Sequence, residues 1–333
     1  MSATKQSSLA VLLLLILIGS ITIGLQSWVG DSTIYSVEKE SKREIMHNAI
    51  LTNTPPPGGS WSAIGAAACN IRIGAVYLAE GIRSASGLPL RLVYKLIDTV
   101  FLFCALIGLF FYLRKWFPDT YCLIGILYFS AMLPLTYFMY IFHPWDRIQL
   151  TAWILLLYLV RERKLLLFGL FLALSIVIKL DTILLPGLYF LVYVSRQHWK
   201  RVMVETLILF IIAFGVYFEL KYLFPEPSTE PARFGFEGVL RQIPSNIRDL
   251  IFMKMHYPPL LVYAVPALLA ISGLRNWLND RFISASVFFS IGLMVIWFVF
   301  TNFAEFRAQT VVLVLVLPGV LLSLQKLIDI TEL

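Results

Sequence analysis

Long apolar runs, free of charge and repeated along most of the chain, constrain this sequence more than anything else in it. A helix needs about 20 apolar residues to cross the hydrocarbon core of a bilayer. Runs of that kind lie near 9–27, 94–113, 120–141, 147–160, 164–178, 181–195, 202–223, 259–274, 282–303 and 308–325. The runs are continuous and do not alternate, which excludes a membrane β-barrel. Three of them (147–160, 164–178 and 181–195) are shorter than a full span. They must borrow flanking residues or stop short of the membrane surface at a buried polar site. The expected fold is all-α: a polytopic membrane helix bundle of about ten transmembrane helices, forming a single transmembrane domain over residues 1–333.

Composition agrees. Hydrophobic residues make up 59% and charged residues 14% of the chain, against about 45–50% and about 25% in soluble domains. A disordered chain and an ordinary soluble enzyme are both excluded. The three cysteines, Cys69, Cys104 and Cys122, have no metal-site spacing and do not suggest a disulfide framework. The first apolar run follows Lys5; it is long for a signal peptide and no A-x-A site follows it, so it reads as a retained first helix.

The short loops set the orientation. With the N-terminus inside, the inner loops carry Arg114 and Lys115; Arg161, Arg163 and Lys164; Arg196, Lys200 and Arg201; and Arg275 and Arg281. Ten spans return the C-terminus to the same side. The net charge of +7 is therefore mostly a topological signal, and nucleic acid is not an expected partner. Two long loops, 28–93 and 224–258, fall outside. In the first, residues 34–51 suggest an amphipathic helix lying in the interface, with Ile34, Val37, Ile45 and Ile50 roughly on one side. The prolines and glycines of 55–59 break it. Residues 61–85, with Arg72 and Arg83 embedded, suggest a second interfacial or re-entrant helix, and 234–255 suggest a third.

The outer turns differ from the inner ones. They carry mixed clusters of acids and bases: His143, Asp146 and Arg147; Lys179 and Asp181; Glu305 and Arg307. Ionisable groups near a membrane need partners or water. Each cluster has a plain alternative. Lys179 and Asp181 can form a turn from which the lysine snorkels to the surface. Asp146 can simply favour the N-terminus of a helix, and Glu305 with Arg307 can be a helix-end pair. The functional alternative is that these groups face a cavity and hold an anion. His47, His143 and His256 also fall outside, without metal-ligand spacing. Trp116, Trp199 and Trp277 read as membrane-interface anchors, while Trp145 beside His143 and Asp146 offers a stacking platform for a sugar.

A first helix followed by an outer loop that opens with an acid (WVGDSTIY), then interfacial helices and a multi-helix bundle, resembles the GT-C superfamily of polyprenyl-phosphate-dependent glycosyltransferases. ALSIVIKLDTILLPGLYFLV resembles the helix–Lys–turn–helix–Pro pattern of family-39-like bacterial members. FAEFRAQTVVLVLVLPGVLLSL resembles their late helix pair, and NIRIGAVYLAEGIRSASGLPL the stretch ahead of their second span. The likeness lies in pattern along most of the chain. Asp31 stands singly where members often carry paired acids, which leaves the need for a divalent cation open.

The resemblance implies a sugar donor carried on a polyprenyl phosphate and a glycan, lipid or protein acceptor at the outer face. It assigns Asp31 as the base that takes the acceptor proton, and Lys179, Arg307 and Arg72 as the cations on the leaving phosphate. Asp146, His143, Arg147, Glu305 and Asp181 would orient the sugar or acceptor, or hold the cations in place. Direct displacement of the carrier would invert the anomeric centre. An envelope-polysaccharide polymerase or ligase, a lipid-linked-sugar transporter and a non-catalytic assembly subunit stay open as alternatives. A transporter would show an inverted repeat, and none stands out. Short cytoplasmic loops and the lack of a glycosylation sequon suit a bacterial inner membrane.

Overall fold

In the computed structural model, the described residues are 3–33, 35–37, 40–54, 71–134, 145–225, 236–252, 266, 268–269, 278–300 and 306–331. Their regular structure is entirely helical: α1 (Ala3–Ser32), α2 (Glu40–Thr52), α3 (Ile73–Ser86), α4 (Leu90–Leu113), α5 (Asp119–Met132), α6 (Asp146–Arg161), α7 (Leu165–Ile178), a 3-10 helix (Leu180–Leu184), α8 (Leu185–Tyr193), α9 (Trp199–Leu223), α10 (Phe236–Phe252), α11 (Arg281–Phe300) and α12 (Phe306–Thr331).

Among the described residues, five segments are long and apolar enough to cross a membrane: Leu9–Ser32, Leu90–Leu113, Trp199–Leu223, Arg281–Phe300 and Thr310–Ile328. Asp119–Met132, Leu165–Ile178 and Leu180–Tyr193 are shorter apolar helices. The chain is thus a helical membrane protein. The run at 259–274 lies almost wholly outside the described residues. The 14 residues of α7 make about 21 Å of helix, against about 30 Å of hydrocarbon. The 16 residues of α6 make about 24 Å.

The chain forms two compact units: Met1–Gln26, Leu106–Met139 and Pro231–Leu333 in one, Ser27–Ala105 and Tyr140–Glu230 in the other. In the first, α11 packs on α12 and α10, and α12 packs on α5. Gly125 permits the close fit of α5, since a Cβ there would stand 2.9 Å from Leu113 Cδ1 and 3.0 Å from Leu321 Cδ1. Trp116 packs among Tyr112 and Phe282 and donates its indole N–H to Asp280 at 2.9 Å. Trp199 is 45% exposed; Trp277 lies outside the described residues. α12 continues through Pro318, as membrane helices can when neighbours and side chains satisfy the freed carbonyl.

In the second unit α7 is the centre, packed on α6, α9, α3 and the 3-10 helix, with α8 against α9 and α2 against α3. Within the stretch 34–51, where an interfacial helix is expected, the chain forms helix α2. Arg43, Met46, His47, Ala49 and Ile50 are buried, whereas Val37 and Ile45 are exposed. Ile34 lies outside the described residues. His47 is drawn inward by polar partners on α3 and α4.

Candidate functional site

The break between α7 and α8 creates the site. Fourteen apolar residues carry α7 to Ile178, and Lys179 then leaves the helix in an extended conformation (φ −161°, ψ 138°). Its N–H still donates to the Ser175 carbonyl at 2.9 Å. The Ser175 and Thr182 hydroxyls meet at 2.7 Å and tie the two sides of the turn together. Because α6 lies alongside α7, the first residue of α6 reaches this turn. Lys179 Nζ stands 3.2 Å from Asp146 Oδ1 and 3.6 Å from Asp181 Oδ2. Two carboxylates therefore offset the cost of enclosing the ammonium.

One face of α6 completes the cluster. Trp145, Gln149 and Trp153 are spaced by four residues and so fall on one side of the helix. Gln149 donates from its amide to the Lys179 carbonyl at 3.2 Å and to Asp181 Oδ1. Trp153 donates its indole N–H to the same Asp181 oxygen at 3.2 Å. The Arg72 guanidinium lies over Trp145, 5.0 Å from the ring centroid, close enough for its charge to act on Lys179. Gly74 makes this possible. A Cβ there would stand 3.1 Å from Ile178 Cγ1 and 3.2 Å from the Val177 carbonyl, so its absence lets the start of α3 press on the end of α7.

Among the described residues, two sets of polar atoms in this cluster have no hydrogen-bond partner. Gln149 is 1% exposed, yet its carbonyl oxygen Oε1 accepts nothing. Arg72, half-buried, makes no hydrogen bond or ion pair among the described residues. Unsatisfied donors and an unsatisfied acceptor thus flank a lysine that is already neutralised.

Of the residues singled out in the sequence, Arg72, Asp146, Lys179 and Asp181 come together here. Arg147, next on α6, is 3% exposed. Asp31 ends α1 and bonds Lys95 Nζ at 2.8 and 2.9 Å, with half its side chain exposed; it makes no hydrogen bond or ion pair with the Lys179 cluster. His143 and Glu305 lie outside the described residues. Arg307 opens α12, but its side chain also lies outside them. Sequence reasoning passed over Gln149 and Trp153, although their four-residue spacing from Trp145 was legible.

A second polar group binds α2, α3 and α4. Tyr94 donates to His47 Nδ1 at 2.8 Å, and His47 Nε2 donates to Glu80 Oε2 at 3.1 Å, which defines the neutral tautomer with its proton on Nε2. Burial pushes the imidazole below the ordinary histidine value, and the hydrogen bond from His47 lowers the Glu80 carboxyl. Tyr35 donates to Asp98, an acid buried within α4. Asp98 interrupts an apolar run, and that alone marks it as partnered. Both His47 ring nitrogens are occupied by protein groups, which removes this histidine from any metal site. His143 and His256 lie outside the described residues, among which no group of three or more His, Cys, Asp or Glu could hold a metal ion.

No protein-family model matches the sequence, and no curated protein matches it.

Proposed function

We propose that this protein is an integral-membrane glycosyltransferase that moves a sugar from a polyprenyl-phosphate carrier to an acceptor on the non-cytoplasmic face. The observation that carries this reading is the pairing state around Lys179. Arg72 offers donors, and Gln149 offers an acceptor, beside a Trp145 platform. A phosphate satisfies the first and a sugar hydroxyl the second. The charges of Arg72, Lys179, Asp146 and Asp181 sum to zero, which suits a monoanionic phosphodiester better than a free phosphate dianion.

In this reading Arg72 grips the phosphodiester, since a guanidinium can bond two phosphate oxygens at once. Lys179 supplies a fixed positive charge that Asp146 and Asp181 hold in place. Asp31 takes the proton of the attacking hydroxyl, because half its side chain is exposed and its partner among the described residues is Lys95. Asp181, by contrast, accepts from Gln149 and Trp153 and lies near Lys179, which makes it a poor base. Attack on the anomeric carbon expels the polyprenyl phosphate with the electrons of the broken C–O bond and inverts the centre. Ten crossings with both termini cytoplasmic put the site at the outer end of α6 and α7.

The test is transfer by purified protein from a polyprenyl-phosphate-linked sugar, read as release of polyprenyl phosphate. Arg72→Ala and Gln149→Ala should each reduce kcat/KM, Arg72→Ala by about 10²–10³-fold as for other lost anion-stabilising donors. Asp31→Asn should abolish transfer without changing donor binding. Full transfer by folded Asp31→Asn and Arg72→Ala proteins sinks the reading.

A further inference from the structure

The opposite end of α6 and α7 carries a second feature that the transferase reading does not use. Helix α6 ends in a Schellman motif: the Arg163 N–H donates to Val160 O at 3.0 Å and the Lys164 N–H to Leu159 O at 3.0 Å. The motif needs one residue in the left-handed region, and here that residue is Arg163, at φ 53°. Glycine is the unstrained choice at such a position, and a residue with a Cβ is strained there. The arginine is not idle. Its guanidinium lies 5.0 Å from the Tyr193 ring centroid at the end of α8 and 3.6 Å from Glu205 on α9. Glu205 also accepts from Tyr189 at 2.7 Å and from Arg201 at 2.8 Å. The α6–α7 turn and the α8–α9 turn are thereby clamped into one surface.

That surface is strongly positive. The two turns and the start of α9 carry Arg161, Arg163, Lys164, Arg196, Lys200 and Arg201 against the acids Glu162 and Glu205, and all six but Arg161 are exposed. Directly beside it the surface turns apolar: Leu166 is 90% exposed, Leu167 44% and Met203 41%. Trp199, 45% exposed with Lys200 Nζ 5.8 Å from its ring centroid, sits at the border.

We propose that this clamped pair of turns is a binding site for an anionic phospholipid. The cations hold the headgroup phosphate, and the exposed apolar residues of α7 and α9 receive the acyl chains. The adjoining apolar surface points to a lipid and not to a soluble phosphate, which would gain nothing from it. The site does not depend on the transferase reading or on which side of the membrane it faces.

The experiment is lipid binding to the full chain in detergent, read by native mass spectrometry and by thermal unfolding. Phosphatidylglycerol is compared with phosphatidylcholine of the same chains and with inorganic phosphate. Phosphatidylglycerol should bind more tightly than phosphatidylcholine, and inorganic phosphate should give no shift. The combined variant Lys164→Ser, Arg196→Ser, Lys200→Ser should lose on the order of a hundred-fold in that affinity, from about one kcal/mol per cation near an anionic headgroup. Exposed Lys42, on α2, serves as control, and Lys42→Ser should leave binding unchanged. Arg163→Gly relieves the backbone and so keeps the fold, yet should also weaken phosphatidylglycerol. Equal binding of the two lipids, full binding by the triple variant, or a shift with inorganic phosphate alone overturns the proposal.

Discussion

Lysine 179 shows how little of a buried charge's meaning resides in the charge itself. Its ammonium is enclosed between Asp146 and Asp181, so removing it leaves two carboxylates with lost compensation. Lys179→Met should cost about 3–5 kcal/mol, the usual penalty for breaking a buried pair from one side. Adding Asp146→Asn and Asp181→Asn should return most of that stability while leaving donor binding weak; thermal unfolding alongside a binding assay separates the two. His47 makes a different prediction. Its folded pKa lies below the ordinary value of 6.5, so as pH falls the unfolded chain takes up the proton first. Stability that is present above about 6.5 is lost as pH drops through and below it. The depressed Glu80 carboxyl acts in the same direction at lower pH. The unfolding temperature should therefore fall on acidification from pH 7 to 5, and His47→Gln should flatten that slope. The left-handed positions tell a residue-level story too. Asn53 and Gly87, at φ 49° and 69°, are residue types that suit the helix ends they close; Arg163 is not.

At the level of elements, the short helices matter most. Helix α7 is about 9 Å shorter than a full crossing, and the chain turns at Lys179. The length of the run 164–178 left two choices in the sequence, to borrow flanking residues or to stop short at a polar site. The sequence did not hold the approach of α3. Arg72 reaches the turn because Gly74 lets two backbones meet at the start of α3 and the end of α7. Gly74→Val should force them apart, at about 1–3 kcal/mol for overpacking. Donor binding should fall with Arg72 displaced, while the Lys179–Asp146 pair stays. A Gly74→Val protein that binds donor as well as the parent would show that Arg72 is not placed by this contact.

For the whole molecule, the second unit is polarised along its helices. Helices α6 and α7 run about 21–24 Å from the basic turns at Arg161–Lys164 to the neutralised cluster at Asp146 and Lys179. A membrane would then place the two sites toward opposite faces. Cysteines at position 72 and at position 164 should label from opposite sides of sealed vesicles, and labelling of both from one side would contradict the arrangement. The sequence by itself determined that the chain is helical and membrane-embedded, because runs of apolar residues with no alternation leave no other way to satisfy the backbone in lipid. It also marked Lys179 and Asp146 as costly charges in need of partners. The tertiary structure alone decided which partners they have. Pairings such as Arg72 with Trp145 or His47 with Tyr94 join residues 73 and 47 positions apart, and such contacts follow from how helices pack, which no local pattern encodes.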